Sequence, residues 1–373
     1  MRTHGGMALA TMPQAERIVT VGVDTHKDTH AAAVVDEVGR PLASCQIPTT
    51  AGGYQQLVGW AEGFGAVARF GVEGTGAYGA GLARFLADRG YEVVEVDRPN
   101  RQLRRRRGKS DPVDAEAAAR AALSGEAAGQ PKARDGYVEM IRALRVARRS
   151  AIKAATQAAN QLDSLVLTAP EQLRAKLRGL KPAELVAVAA RLRPGAITSP
   201  LAATKLALCE LARRYQALTA EIQRLDVELD RLVAKAAGKL VARKGVGTDV
   251  AGALLVAAGD NPDRLRSEAS FASLCGSSPL DASSGRQQRH RLNRGGDRQA
   301  NSALWRIVIV RMSCDQPTID YVKRRIKEGK NKKEAIRCLK RYVAREVYHC
   351  LRDLEVLRPP ATASDTPRPH HRT

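Results

Sequence analysis

At 373 residues with 44% hydrophobic side chains, the chain is long enough for roughly two or three cores, which excludes a single small module and wholesale disorder. Sixty-one Lys and Arg against 39 Asp and Glu leave a formal charge of +22, and a charge of that size points to a polyanionic partner. No run of about 18 apolar residues occurs, which excludes a membrane span, and six scattered cysteines without a C-x-x-C pair exclude a zinc knuckle or a disulfide framework.

Residues 1–16 are expected to be disordered; lacking a basic start followed by an apolar block, they suggest a cytoplasmic, nucleoid-associated protein. Val19, Val21 and Val23 alternate through a first strand, and Val34 and Val35 close a second. A turn at Glu37–Arg40 leads to a third strand over 41–48, then a helix over 51–63. Arg69–Val72 reads as a short strand, 79–89 as a helix and Tyr91–Val96 as another strand. Three hairpin-linked strands followed by β-α-β predict a mixed sheet with helices packed on it. Ser110, Asp111 and Pro112 before AEAAARAAL mark a helix start, and residues 124–136 a linker.

From Tyr137 to about Lys239 the pattern is helical, with breaks near Pro170, Pro182 and Pro194. The last of these helices carries Leu208, Leu211, Tyr215, Leu218, Ile222, Leu225, Leu229 and Leu232 at unbroken 3,4 spacing. Such a stripe serves equally for a hairpin with the Tyr137–Leu167 helix or for a coiled coil between chains. Further on, Gly245-Val246-Gly247 lies between two apolar helical stretches, residues 301–312 and 332–356 read as helices, and the Pro-rich tail from 358 is expected to be disordered.

Four acids stand out by position. Asp24 ends the first strand, Glu73 ends the fourth, and Asp111 and Asp114 sit in the first turn of a helix. Metal-assisted phosphodiester chemistry needs hard oxygen ligands that converge, and carboxylates at the ends of adjacent strands can do so. Taken singly each has a plain alternative: a strand terminator, a loop residue, or a helix cap.

The run VGVDTHKDTH, VEGTGAYG and KSDPVDAEAAARAAL resembles the DEDD insertion-sequence transposases, whose N-terminal domain looks like the RuvC junction resolvases, a ribonuclease-H-like fold. The C-terminal signature of that family is matched by GVG at 245–247, FASLCGSSPLDASSG at 271–285 and LNRGGDRQANSAL at 292–304. The resemblance implies an α/β RuvC-like catalytic domain over 17–125, a helical, coiled-coil region over 137–239, and a mainly α transposase domain over 240–357. It implies a metal-holding tetrad of Asp24, Glu73, Asp111 and Asp114 for Mg²⁺ or Mn²⁺.

Ser283-Ser284-Gly285 lies in a polar stretch beside Arg286, Arg289, His290, Arg291 and Arg294. Alone it reads as a flexible turn. A hydroxyl needs activation to attack, and arginines can hold a phosphate while it does. The resemblance implies Ser284 as a nucleophile forming a phosphoserine link to DNA, with Ser283 as runner-up. Assistance from the tetrad would require the two domains to meet, within one protomer or between two. Gly295-Gly296-Asp297 departs from the family's Lys-x-Gly-Asn in a supporting segment.

Gly245 and Gly247 resemble a helix-hairpin-helix turn that offers N–H groups to phosphate, with an ordinary interhelical turn as the alternative. Arg104, Arg105, Arg106, Arg107 and Lys109, and the basic run from Lys323 to Arg345, are the expected polyanion contacts. Aromatics at 4% argue against binding built on base stacking. The expected activity is transposition by strand cleavage and exchange, with donor and target DNA as partners, a structured guide RNA implied by the resemblance, and a homodimer or homotetramer. A hydrolytic nuclease and a non-catalytic nucleic-acid-binding protein are the rival readings.

Overall fold

The valine alternation of the first strand has a structural counterpart: one side of each central strand carries bulk and the other carries almost none. In the computed structural model, which describes residues 17–96, 110–127, 129–261, 264–285, 290–291 and 293–352, the chain divides into two compact units at Arg134 and Asp135. The first holds strands β1 (Ile18–Thr25), β2 (Thr29–Val35), β3 (Pro41–Pro48), β4 (Ala66–Glu73) and β5 (Val93–Val96), with helices α1 (Ala51–Glu62), α2 (Ala80–Asp88) and α3 (Asp111–Leu123). Strand order is β3-β2-β1-β4-β5; β1 to β3 pair antiparallel, while β4 pairs parallel with β1 and with β5. This is the mixed sheet expected from three hairpin-linked strands and a β-α-β unit.

One face of the sheet is a packed core. Val19, Val21, Val23, Ala32, Val34, Phe70 and Val72 meet Tyr54, Leu57 and Val58 of α1 and Leu82 and Leu86 of α2. His30 is buried here, its ring stacked on Tyr54 with planes 3° apart. The opposite face is covered by α3 and built from small residues: Gly22, Ala31, Ala33 and Gly71 against Ala115, Ala118, Ala119 and Ala122. A Cβ added at Gly22 would stand 2.1 Å from the Ala115 oxygen and the Ala119 nitrogen, so the helix backbone rests directly on the strand.

Among its described residues the second unit holds helices and one short strand pair. Its elements are α4 (Tyr137–Thr168), α5 (Glu171–Leu177), α6 (Pro182–Ala189), α7 (Pro200–Val241), α8 (Thr248–Ala258), α9 (Glu268–Leu274), β6 (Leu280–Asp281), β7 (His290–Arg291), α10 (Arg298–Cys314), α11 (Gln316–Lys327) and α12 (Lys332–Arg352). Helices α4 and α7 run antiparallel. Leu162 and Val166 share a core with Leu208 and Ala212, while Tyr137, Val138 and Ile141 share another with Leu229, Leu232 and Val233. The leucine stripe is therefore used within the chain, and its middle members Leu218, Ile222 and Leu225 stay half-buried because α4 presents alanines there. Helix α7 kinks at Ala237 and continues to Val241, so its last turns join the same core as α8 to α12.

Two features of this unit go beyond the sequence reading. Helix α11 forms a separate element, started by Asp315, whose carboxylate accepts from the Thr318 N–H and hydroxyl, with Pro317 in its first turn. The serine stretch is held between two paired strands rather than in a bare loop. Among the described residues no helix is long and apolar enough to cross a membrane. The segments 1–16 and 358–373, and residues Arg104, Arg105, Arg106, Arg107, Lys109, Arg286 and Arg289, lie outside the described residues.

Candidate active site

Strands β1 and β4 carry the same short pattern, Gly-Val-Asp at 22–24 and Gly-Val-Glu at 71–73, and they are paired in register. Gly22 lies opposite Gly71 and Val23 opposite Val72, so Asp24 and Glu73 follow side by side at the carboxyl ends of parallel neighbours. Side chains alternate along a strand. The acids therefore share the face of the glycines, the face under α3. The glycines lower the helix onto the sheet, and its first turn arrives with Asp111 and Asp114. The architecture of the acids is thus a consequence of two missing side chains.

Within this arrangement Asp24, His26 and Asp111 form a close trio, with one ligand atom from each inside 4.8 Å of the others. The His26 Nε2 stands 3.9 Å from an oxygen of Asp24 and 3.9 Å from one of Asp111. Asp24 is buried and Asp111 half-buried, so one carboxylate sits on the sheet and the other faces outward. Asp114 is almost fully buried, one residue before the Ala115 that rests on Gly22. Glu73 is held through its backbone, since the buried Thr25 hydroxyl donates to its carbonyl at 2.8 Å. Neither Glu73 nor Asp114 belongs to the close trio.

His26 was not among the expected site residues. The signal was in the sequence, because the alternation of β1, carried one residue past its end at Thr25, returns His26 to the side of Asp24. Two carboxylates with one imidazole suit a divalent cation that prefers oxygen donors and tolerates nitrogen.

In the second unit, Asp281 ends β6 and its carboxylate accepts from both the N–H and the hydroxyl of Ser283, at 2.9 and 2.5 Å. This is an Asx turn, and it occupies the Ser283 hydroxyl. Ser284 follows, exposed, and Gly285 turns the chain with φ of 56° in open space. Arg291 and Arg294 are both exposed on the return side.

The exposed tip stands on a rigid base. Gly296 is pressed against Gly276, where an added Cβ would meet the Gly276 nitrogen at 2.2 Å. The Asp297 N–H donates to the Leu274 carbonyl at 2.6 Å, and the Asn293 amide to the Ser273 carbonyl at 3.2 Å. The Asn301 amide donates to the carbonyls of Cys275 and Gly276 at 2.7 and 3.0 Å, while its oxygen accepts from the Lys340 ammonium at 2.7 Å. Lysine only donates, so this contact fixes which way the amide points. Burial lowers the pKa of Lys340 and pushes the neighbouring Cys275 thiol up to about 12. Asn301 and Lys340 could not be found from sequence, since Asn301 acts on carbonyls 26 and 25 residues away and Lys340 on the Asn301 amide oxygen 39 residues away.

The Gly245–Gly247 turn is built for packing. Gly245 has φ of 80° and lies against the Ile307 carbonyl, and the Arg311 guanidinium donates to the Lys244 carbonyl at 2.8 Å. Gly247 caps α8, whose first turn already carries the carboxylate of Asp249. That carboxylate accepts from the buried Arg145 and from Arg306 at 2.5 and 2.6 Å, and these guanidinium groups hold its pKa below the ordinary value against the cost of burial.

Comparison with known families places both halves of the chain. Residues 21–169 match a family model for the DEDD domain of the IS110 type, described as a transposase, and residues 239–323 match a second, described as the transposase IS116/IS110/IS902 family. No curated protein sequence is significantly similar to the chain.

Proposed function

We propose, from the premise that this chain belongs to the IS110-type transposases and is a DNA transposase/recombinase enzyme, that it exchanges DNA strands through a covalent serine intermediate in a ribonuclease-H-like frame. The observation that carries the reading is the register of Gly-Val-Asp against Gly-Val-Glu, which sets two carboxylates side by side at strand ends beneath a helix that brings two more. Asp24, Glu73, Asp111 and Asp114, with His26 beside them, would hold Mg²⁺ or Mn²⁺. Bound there, such an ion supplies charge stabilisation for the phosphate and a lower barrier to oxygen attack.

Ser284 provides the attacking oxygen. Its hydroxyl is exposed at the hairpin tip and is not drawn into the Asx turn that engages Ser283. Attack forms an Oγ–phosphorus bond and breaks the bond to the leaving deoxyribose oxygen. The hydroxyl proton passes to solvent, and the leaving oxygen takes up a proton. A hydroxyl from a second strand then reverses the exchange, releasing Ser284 and restoring a phosphodiester without net hydrolysis. Exposed Arg291 and Arg294 suit the phosphate charge during both steps.

A structured guide RNA fits the same scheme, since delegating sequence choice to base pairing would leave the protein to bind backbone. A dimer or tetramer also fits, because Leu218, Ile222 and Leu225 are half-buried and Val146 and Val227 on the same two helices are exposed. Sequencing of copurified RNA and light scattering of the purified chain test these two points.

The decisive experiment is a denaturing gel of protein with labelled donor DNA and Mg²⁺. The expected result is a covalent adduct that Ser284→Ala and Asp24→Asn abolish, by at least about a thousandfold, and that Ser283→Ala preserves. Cleavage surviving in Ser284→Ala would replace the recombinase with a water-using nuclease. Full activity in Asp24→Asn would remove the carboxylate site altogether.

A further inference from the structure

Many of the guanidinium groups in the core of the helical unit are neutralised by ion pairs. Arg145 and Arg306 share Asp249, Arg148 takes Asp226, Arg311 forks onto Glu346, and Arg341 and Arg345 share Glu268. Lys244 pairs with Asp315. The end of the hairpin made by α11 and α12 instead gathers unpaired cations close together in sequence. Residues 323–345 contain eleven Lys and Arg and two Glu. Arg324 and Arg325 share one of those acids, Glu328. Among the described residues Lys323, Lys327, Lys330, Lys332, Lys333 and Arg337 have no ion pair, and all but Lys330 are exposed.

These cations are ordered rather than scattered. Lys323 and Lys327 stand one turn apart on α11, and Lys333 and Arg337 one turn apart on α12. Val322 and Thr318 on the first helix, and Ala335 and Leu339 on the second, turn the other faces inward. Gly329, with φ of 90°, reverses the chain between the helices and brings Lys330 and Lys332 to the same end. Like charges at i,i+4 cost a helix a few tenths of a kcal/mol per pair. Two such pairs on one tip, where Glu328 is taken by Arg324 and Arg325 and Glu334 accepts from the Asn331 N–H, are a local cost that a bound polyanion lowers.

We propose that this hairpin tip is a docking surface for the sugar–phosphate backbone of duplex DNA, separate from the residues that do the chemistry. Five of the six unpaired cations are lysines, compact point charges suited to phosphate, whereas base reading favours the planar fork of arginine. The partner class follows from membership of a DNA transposase family and not from the serine or carboxylate assignments. The surface would hold the DNA duplex without selecting its sequence.

The test is duplex binding by the full-length chain across a salt series, with a mixed-sequence DNA duplex as probe. Lys323→Gln, Lys327→Gln, Lys333→Gln and Arg337→Gln are combined in one variant. The log–log salt slope is expected to become shallower by about 3 to 4, at about 0.9 per phosphate contact, with affinity down at least about tenfold at 0.1 M salt. A control with the same charge change on α7, at Lys205, Arg214, Arg224 and Lys235, is expected to keep its slope. The pair Lys327→Gln with Lys333→Gln should give about half the change, which guards against an unfolded quadruple variant. An unchanged slope, an equal loss in the control, or lost binding to a structured RNA probe with duplex binding intact would each overturn the proposal.

Discussion

The carboxylate site and the serine site are built on opposite plans. The acids stand on a tightly packed seam of the first unit, where Gly22 and Gly71 allow a helix backbone to touch the sheet. The serine stands on an exposed turn where an added Cβ at Gly285 would meet nothing within 4 Å. One site gets its precision from close packing around it, the other from hydrogen bonds beneath it. In the proposed roles, a group that holds a cation tolerates little displacement, whereas a nucleophile that must reach a strand and release it needs a free tip on a fixed base.

Substituting the glycines is the harshest way to break this contrast. Gly22→Val is expected to unfold the first unit, because nothing at 2.1 Å can give way when both neighbours are backbone atoms of α3. A cost of at least about 3 kcal/mol is expected, read as lost helicity and solubility in a thermal melt. Gly285→Ala is strained only by its positive φ and should cost roughly 1 kcal/mol. Equal losses at the two positions would show that the serine turn is packed as closely as the sheet.

The hydrogen-bonded base offers the next test. Asn301→Ala removes both donors from the carbonyls of Cys275 and Gly276, and it is expected to slow strand cleavage ten- to a hundredfold with duplex affinity unchanged. Lys340→Met leaves the Asn301 amide free to flip and should have a smaller effect, about fivefold to tenfold, while Lys340→Arg retains a donor and most of the rate. Cleavage measured at saturating DNA separates this from binding. A parallel fall in affinity would mean that Asn301 and Lys340 touch DNA instead of fixing the hairpin.

How much of this was legible in the sequence follows the same division. Val19, Val21 and Val23, Pro112 after Ser110, and the 3,4 leucine spacing are local patterns, and each produced the expected strand or helix. The paired acids were visible as strand ends, but the reason for them, two glycines in register, needed the pairing of β1 with β4. His26 was readable from strand alternation once Asp24 was placed. Asn301 and Lys340 were not readable, because amide-to-carbonyl contacts leave no periodic trace. The leucine stripe was ambiguous for a physical reason: one apolar seam serves an intrachain and an interchain partner alike.

Asp260 extends the comparison to the start of the helical unit. The α4 N-cap is Gly136, which has no side chain to offer, and Asp260 from beyond α8 accepts the Val138 N–H at 2.8 Å in its place. Burial, with the nearby carboxylates of Asp135 and Glu139, pushes its pKa up to about 6, against the two backbone hydrogen bonds that favour the charged form. A carboxyl group with a raised pKa favours the fold when protonated. Its contribution is therefore complete below about pH 4 and is lost as the pH rises through 6, a change on the order of 2 kcal/mol. Asp260→Asn keeps the accepting oxygen without the charge, so it should melt at a higher temperature than the parent at pH 7.5 and match it at pH 4. Asp260→Ala should melt lower at both, since the α4 N–H then loses its acceptor. If Asp260→Asn proved less stable than the parent at pH 7.5, attraction to the helix N-terminus would outweigh the cost of burying the charge, and the cap would then be a charge-dependent tie rather than a tolerated one.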